Sequence, residues 1–478
     1  MSKLKILYAA SEAAPFIATG GLGEVAGSLP KALKENYGND IDIRIMLPLY
    51  QNIQNRSELE FVGKTTVPLV WRQQYCGVFK KTVNNITYYF IDNEYYFKRE
   101  ECYGSFDDGE RFAFFSKAVL FILPMLEFFP DIIHTNDWQT SLIPIYLKTI
   151  YSTSAEYNNI KTVLTIHNIE YQGIYDINIS EDVFGLYGKE KSLIEYKGSI
   201  NLLKGAMETC DIISTVSESY SREIFDDYYA RGLASIISKN ASKVIGILNG
   251  IDTDLYNPET DTSLFENYDV NNIKNKYANK TNLQVMTNLP QDENIPVIGI
   301  ISRLVKHKGF DLIINGIGEI LKEKVQVIVL GKGDRSYELQ FKALHDTYHD
   351  KVAVRIDFNP DFARKLYAGA DFLLMPSISE PCGIAQMIAS RYGTVPIVRE
   401  TGGLKDSIKD ASLGSGNGFT FNEQTPEALV DAVKRALNVY QSRDDFKKLI
   451  EAVMNVDFSW KKSAEKYYDM YKYMLGVK

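Results

Sequence analysis

Short apolar runs recur along the chain, bounded by polar or turn-forming residues and separated by stretches with helical spacing. Leu4–Ala9, Ile41–Leu47, Val67–Trp71 and Ile86–Ile91 predict strands. Asp108–Leu126 follows as a helix, with Phe112, Phe115, Val119, Leu120 and Leu123 on a core-facing stripe. Asp131–His134, Lys161–Ile166, Asp211–Val216 and Val244–Leu248 continue the series of strands. A polar, Asp/Asn-rich passage then runs to about Asn294, and the alternation restarts. Val297–Ile301 predicts a strand and Phe310–Lys322 a helix; Val325–Leu330, Val352–Ile356, Phe372–Met375 and Val395–Val398 predict further strands. Strands that are continuously apolar and alternate with helices belong to parallel sheets covered on both faces. The chain therefore reads as α/β, in two doubly wound halves. From Ser459 on, Trp460, Ala464, Tyr467, Tyr468, Tyr471 and Met474 share one helical face, which predicts a closing helix on a domain surface.

Polar residues gather where these strands end. Glu12 and Thr19-Gly20-Gly21 follow the first strand, Asp137 and His167-Asn168 follow later ones, and Ser217-Glu218 repeats the pattern. In the second half Arg303 and Lys308 flank the loop after a strand. Glu380-Pro381-Cys382-Gly383 follows Phe372–Met375 and precedes a helix from about Ile384. In open α/β sheets, ligands bind beyond the carboxyl ends of the strands. Adjacent glycines let backbone N–H groups approach a phosphate at a helix start. Each such residue alone is more often a cap or turn former; their coincidence on one rim favours a site.

A length of 478 residues predicts two or three domains. The net charge of −8, from 53 basic and 61 acidic side chains, argues against a nucleic-acid partner. An anionic substrate must then be met by a few placed basic groups. Cys76, Cys102, Cys210 and Cys382 are scattered without a CxxC pair, so neither a disulfide framework nor a zinc site is expected. Asp252-Thr253-Asp254 has the spacing of a metal motif, but after Asn249-Gly250 it reads as a turn, and no metal or other cofactor is expected. Phe114–Leu126 is too short and too polar to span a membrane. No signal peptide precedes Leu4, and a cytoplasmic protein is expected. No complete GxGxxG opens a helix with an acid ~20 residues on, which weakens a dinucleotide-dependent oxidoreductase.

Eight segments, in order, resemble the bacterial glycogen synthase and plant starch synthase family. They are SEAAPF with TGGLGEVAGSLPKAL, NDWQTSLIP, TIHNIEYQGIY, TVSESYSREI, ILNGIDTDLYNP, SRLVKHKGFDLI, LYAGADFLLMPSISEPCGIAQ and YGTVPIVRETGGLKD. The resemblance implies a GT-B fold, two Rossmann-like domains facing across a deep cleft that closes over its substrates. It divides the chain into residues 1–252 on the acceptor side, residues 253–455 on the nucleotide-sugar side, and a C-terminal helix, 456–478, packing back on the first domain. The implied reaction moves glucose from ADP-glucose, or alternatively UDP-glucose, to an α-1,4-glucan with retention, by front-face attack assisted by the leaving phosphate. Arg303 and Lys308 would bind the donor phosphates. Glu380, Glu12, Asp137, His167 and Asn168 would surround the glucosyl group. Phe358 would stack on the base, with Cys382 nearby and main-chain groups at Gly20, Gly21, Gly383 and Ile384 facing phosphate. Three positions depart from the family pattern: Ala18 replaces a lysine, Gln139 a histidine, and Ala385 a threonine or serine. The missing lysine leaves donor choice open and also admits a glucan-binding homologue without activity.

Overall fold

The computed structural model describes residues 3–477 and divides the chain into two compact units. One takes in the chain up to Asn249 and the final segment from Trp460; the other is Gly250–Ser459.

The strands of the first unit are β1 Leu4–Ala9, β2 Ile41–Pro48, β3 Glu60–Leu69, β4 Arg72–Val83, β5 Ile86–Asp92, β6 Ile132–Asn136, β7 Lys161–Ile166, β8 Ile174–Asp176, β9 Glu195–Tyr196, β10 Ser199–Asn201, β11 Ile212–Thr215 and β12 Val244–Gly246. Nine form one sheet in the order β12-β11-β7-β6-β1-β2-β5-β4-β3. All its pairs are parallel except β3 with β4 and β4 with β5. The chain runs outward from β1 to β2, then returns to the other side of β1 as β6. That reversal leaves a switch point between β1 and β6, where neighbouring loops part.

The second unit continues with β13 Val297–Ile301, β14 Gln326–Leu330, β15 Val352–Arg355, β16 Phe372–Met375, β17 Val395–Arg399 and β18 Phe419–Phe421. Its sheet runs β15-β14-β13-β16-β17-β18, parallel throughout, with its switch point between β13 and β16. The helix Pro360–Gly369 packs Phe362 and Leu366 with Leu283, Val297 and Ile328 into the core.

Several expected elements differ. Val67–Trp71 is the end of a longer strand that stops at Leu69, because Val70 turns at φ +58°. The next strand, β4, escapes notice because its first residues, Arg72-Gln73-Gln74-Tyr75, form no apolar run, although β3 and β5 pair with it on both sides. The three-stranded β8-β10-β9 sheet is likewise too short to register as periodicity. The first half is therefore a parallel sheet with an antiparallel margin.

The polar passage before Asn294 is not a spacer. It contains the helix Lys274–Met286, which buries Lys276, Asn279 and Lys280. Lys276 Nζ donates to Ala368 O, Ala370 O and Thr394 Oγ1 at 2.8–2.9 Å. Lys280 Nζ sits 2.7 Å from Asp371 Oδ2 and also donates to Glu293 O and Tyr440 Oη. These lysines replace a hydrophobic stripe with satisfied polar contacts, so apolar spacing cannot reveal the helix. Asp252 accepts from the N–H groups of Asp254 and Leu255, a local turn.

The closing helix, Trp460–Met474, buries Trp460, Ala464, Tyr467, Met470 and Tyr471. Tyr468 stacks on Tyr37 at 3.6 Å, at the end of the helix Gly21–Tyr37. No helix among the described residues is long and apolar enough to cross a membrane.

Removing one partner of a buried ion pair costs about 3–5 kcal/mol, because the other charge is left stranded. Lys280→Ala should therefore destabilise the second unit by about 3–5 kcal/mol, read as faster amide exchange in β16, which follows Asp371, and in its neighbour β13. Unchanged exchange there would show that the pair does not hold the strand carrying Asp371.

Candidate active site

At the first switch point, the loop after β6 opens with Asp137 at φ +52° and ψ −170°, a region essentially reserved for glycine. The surroundings hold it there. Its N–H donates to Thr165 O at 2.9 Å, and its carbonyl accepts from Ser141 Oγ at 3.2 Å. Thr140 Oγ1 accepts from the Asn136 N–H at 2.6 Å and donates to Asn136 O at 2.8 Å. The result aims Asp137 Oδ1 at the main-chain N–H of His167, 2.7 Å away, with that of Asn168 at 3.5 Å. Burial raises the Asp137 carboxyl to about 7, against the pull of those two donors and with a contribution from nearby Glu12. Burial drives the His167 imidazole the other way, down to about 3, so the ring is neutral. Asn168 turns back on its own loop, accepting from the Glu170 N–H at 3.0 Å.

Glu12 is buried, and its Oε2 accepts from the Thr19 N–H at 2.5 Å. Burial raises its pKa although Thr19, Tyr103 and Gly23 donate to it. Glu12 thereby ties the loop carrying Gly20 and Gly21 to the end of β1. A Cβ at Gly20 or Gly21 would meet nothing within 4 Å, so packing does not require glycine at either position. Gly23 and Gly27 are the structurally obligatory ones, since a Cβ there would come within 2.7 Å of Ala18 and 2.5 Å of Ala14 O. Ala18 itself is exposed. Lys34 is committed elsewhere, to Gly38 O and Ile41 O.

The second switch point joins the loops after β13, β16 and β17. Lys308 Nζ lies 2.6 Å from Glu380 Oε2, which also accepts from Ser377 Oγ at 2.9 Å. The loops fit backbone to backbone: a Cβ at Gly309 would stand 2.0 Å from Pro376 O, and one at Gly402 2.0 Å from Glu380 O. Both glycines have positive φ, so only glycine satisfies conformation and space together. Ile378 N–H donates to His307 O, and Arg399 NH1 donates to Ser377 O and Ile378 O. Arg399, buried at the end of β17, thus holds the loop that presents Glu380. Cys382 is buried beside it, with its carbonyl accepting from Gln386 Nε2. Gly383 turns at φ +67° and Ile384 leads into the helix Ala385–Arg391.

Arg303 is exposed in the loop after β13, with no ion-pair partner among the described residues. Phe358 is 81% exposed after β15, two strands from β13 in the sheet order. The predicted residues thus gather as Glu12, Asp137, His167 and Asn168 in one unit, and as Lys308, Glu380, Cys382 and Gly383 in the other. Among the described residues no cluster of three or more His, Cys, Asp or Glu side chains is arranged to hold a metal ion.

A family model described as the starch synthase catalytic domain matches residues 5–239, and one for glycosyl transferases group 1 matches residues 284–452. The glycogen synthase of Alkaliphilus metalliredigens (strain QYMF) is 43% identical over 98% of this chain and 99% of its own length. That of Clostridium novyi (strain NT) is 46% identical over 99% of each chain. This chain belongs to the glycogen synthase and starch synthase family. The catalytic domain of starch synthase IV from Arabidopsis thaliana, solved bound to ADP and acarbose, matches with a TM-score of 0.92 at 32% identity, covering 99% of this chain and 100% of that one. The chain accordingly has the GT-B fold and is a hexosyltransferase.

Within this synthase-family chain, the sequence motifs passed over Asn136, Ser377 and Arg399. Asn136 opens the NDW segment and was overshadowed by the acid beside it. Arg399 ends an apolar strand, where a buried cation is the available signal.

The raised pKa of Asp137 carries a stability consequence. An acid with a raised folded pKa favours the fold below its ordinary value, near 4, and that contribution is lost as pH rises through about 7. His134 and His167, both held near 3, act oppositely: their contribution is lost as pH falls below about 6.5. Relative to Asp137→Asn, the wild-type chain should lose stability as pH rises from about 4 to about 7. Thermal unfolding of both proteins across that range measures the difference, and parallel curves would refute the assignment.

Proposed function

We propose that this chain extends an α-1,4-glucan at its non-reducing end with glucose from ADP-glucose, retaining the anomeric configuration. The observation that carries this reading is the Lys308–Glu380 pair at the second switch point, 2.6 Å apart and mostly shielded from solvent. The departing nucleoside diphosphate gains charge as the glycosidic bond breaks, and a fixed ammonium group meets that charge without reorganisation. Lys308 takes this role, with the exposed Arg303 guanidinium, which has no ion-pair partner among the described residues, as the second cation on the same loop. Glu380 engages Lys308 and Ser377 through Oε2. Its other oxygen is the acceptor proposed for a glucosyl hydroxyl.

The unit ending at Ser459 is then the donor side, with Phe358 against the base and the Gly383–Ile384 backbone near the phosphates. The unit carrying Glu12, Asp137, His167 and Asn168 is the acceptor side. There, neutral His167 and its main chain orient the sugar. The ADP held by the related starch synthase supports an adenine nucleotide donor. Ala18, where relatives of the pattern carry lysine, favours UDP-glucose no more than ADP-glucose and makes the donor comparison informative.

Glucosyl incorporation into a maltooligosaccharide, with ADP-glucose and UDP-glucose compared side by side, tests the reading. Extension that favours ADP-glucose is expected. Preference for UDP-glucose would keep the chemistry and overturn the donor. No extension with either, by a folded protein that binds glucan, would make this an inactive homologue. Lys308→Ala should lower transfer at least ~100-fold, the loss typical of a missing transition-state charge partner. Near-normal turnover would remove Lys308 from the site.

A further inference from the structure

We infer that Asn136 and Tyr8 are positioning residues that hold His167 in its Nε2–H form, leaving Nδ1 as a hydrogen-bond acceptor for a hydroxyl of the transferred sugar. The identity of that ligand rests on the function proposed above; the tautomer rests on geometry alone.

One amide, that of Asn136, sets the tautomer. Asn136 Nδ2 donates to Ala9 O at 3.0 Å, which fixes the amide's orientation, because a flipped group would set two oxygens against each other. Asn136 Oδ1 therefore faces away from Ala9 and accepts from Tyr8 Oη–H at 2.9 Å. His167 Nε2 stands 2.9 Å from the same oxygen. An amide oxygen has no proton to give, so Nε2 must carry one. A neutral imidazole holds a single N–H, and burial keeps this ring neutral. Nδ1 is then a bare lone pair. It bonds to no described residue and is not among the buried unpartnered atoms, so it is open to a ligand.

The amide is itself braced. Thr140 clamps the Asn136 main chain from both sides. The Tyr8 ring lies against His134 at 4.6 Å between centroids. His134 in turn bonds Tyr471 of the closing helix through Nδ1 at 2.7 Å and Thr165 through Nε2 at 2.6 Å. The closing helix thus supports the residue that orients His167. The titratable groups around the ring are Asp137, whose carboxylate meets the His167 N–H, together with Glu12, His134 and Tyr8.

Nitrogen-15 spectra of the full chain labelled at histidine read the tautomer directly, with His167→Gln assigning the signal among the five histidines. The wild-type protein should show a protonated Nε2 and an unprotonated Nδ1 at neutral pH; a protonated Nδ1 would overturn the inference. Asn136→Ala should mix the two forms and lower kcat roughly 10- to 1,000-fold with little change in nucleotide affinity, short of the about 10,000-fold loss that a fully wrong tautomer brings to a serine protease. An unchanged tautomer and kcat in that variant would overturn the inference. Asn136→Asp keeps an acceptor for Nε2–H and should recover activity over Asn136→Ala. It should fail on the acid side, because its carboxylate draws a second proton onto the ring. If Asn136→Ala does not fold, that acid-side loss and the wild-type spectrum still decide. An Nε2–H wild-type protein that transfers glucose from neither donor would support the positioning geometry and overturn the proposed function.

Discussion

Parallel strands cannot be joined by hairpins, and each must be followed by a crossover that returns the chain to the same end of the sheet. Every β-strand of the second unit, and most of the first unit's main sheet, obeys that constraint. All the loops at the strands' carboxyl ends therefore share one rim. Where the chain reverses direction across the sheet, neighbouring loops diverge and leave room. In this chain those places lie between β1 and β6 and between β13 and β16. Glu12 and Asp137 flank the first, and Lys308 and Glu380 the second. Topology has put chemistry where the backbone leaves space.

Each site is costly to the fold that carries it. Asp137 combines a backbone conformation disfavoured for side chains with a carboxyl that burial would rather keep protonated. It persists because Thr140, Ser141 and Thr165 satisfy the backbone on either side. Glu380 is likewise buried, and Lys308 and Ser377 meet it on one oxygen. The loops presenting it close so tightly that Gly309 and Gly402 admit no side chain. Strain and desolvation concentrated in this way mark sites better than exposure or charge alone. Elsewhere the same units bury ionisable groups with every donor used, as at Lys276 and Lys280, and there the result is support for a helix.

Much of this was legible in the chain. Apolar runs such as Lys161–Ile166 and Phe372–Met375 became strands with those bounds, because a strand buried on both faces has little freedom in composition. Polar residues at the strand ends were legible for the converse reason. The helix Lys274–Met286 was not, since its buried positions other than Leu283 are Lys, Asn and Gln, and partners of Lys276 and Gln284 such as Ala368 and Gln326 lie far along the chain. Strand β4 was hidden because its first residues, from Arg72 to Tyr75, form no apolar run. Arg303 and Lys308 looked equivalent in one loop, yet only Lys308 has a carboxylate beside it. Phe358 stands after the outer strand β15, mostly exposed, a position in the sheet that its motif does not encode.

By itself, then, the order of residues determined the class of fold, the family and the candidate chemistry, because these depend on local periodicity and on short motifs read in sequence. Tertiary structure decided the protonation states and the alignment of the groups. Asp137 near 7 and His167 near 3 differ from ordinary side chains only through burial and, for Asp137, through Glu12 after β1 and the N–H groups of His167 and Asn168 after β7. Desolvation and hydrogen-bond direction act between atoms that are close in space. No spacing along the chain encodes them.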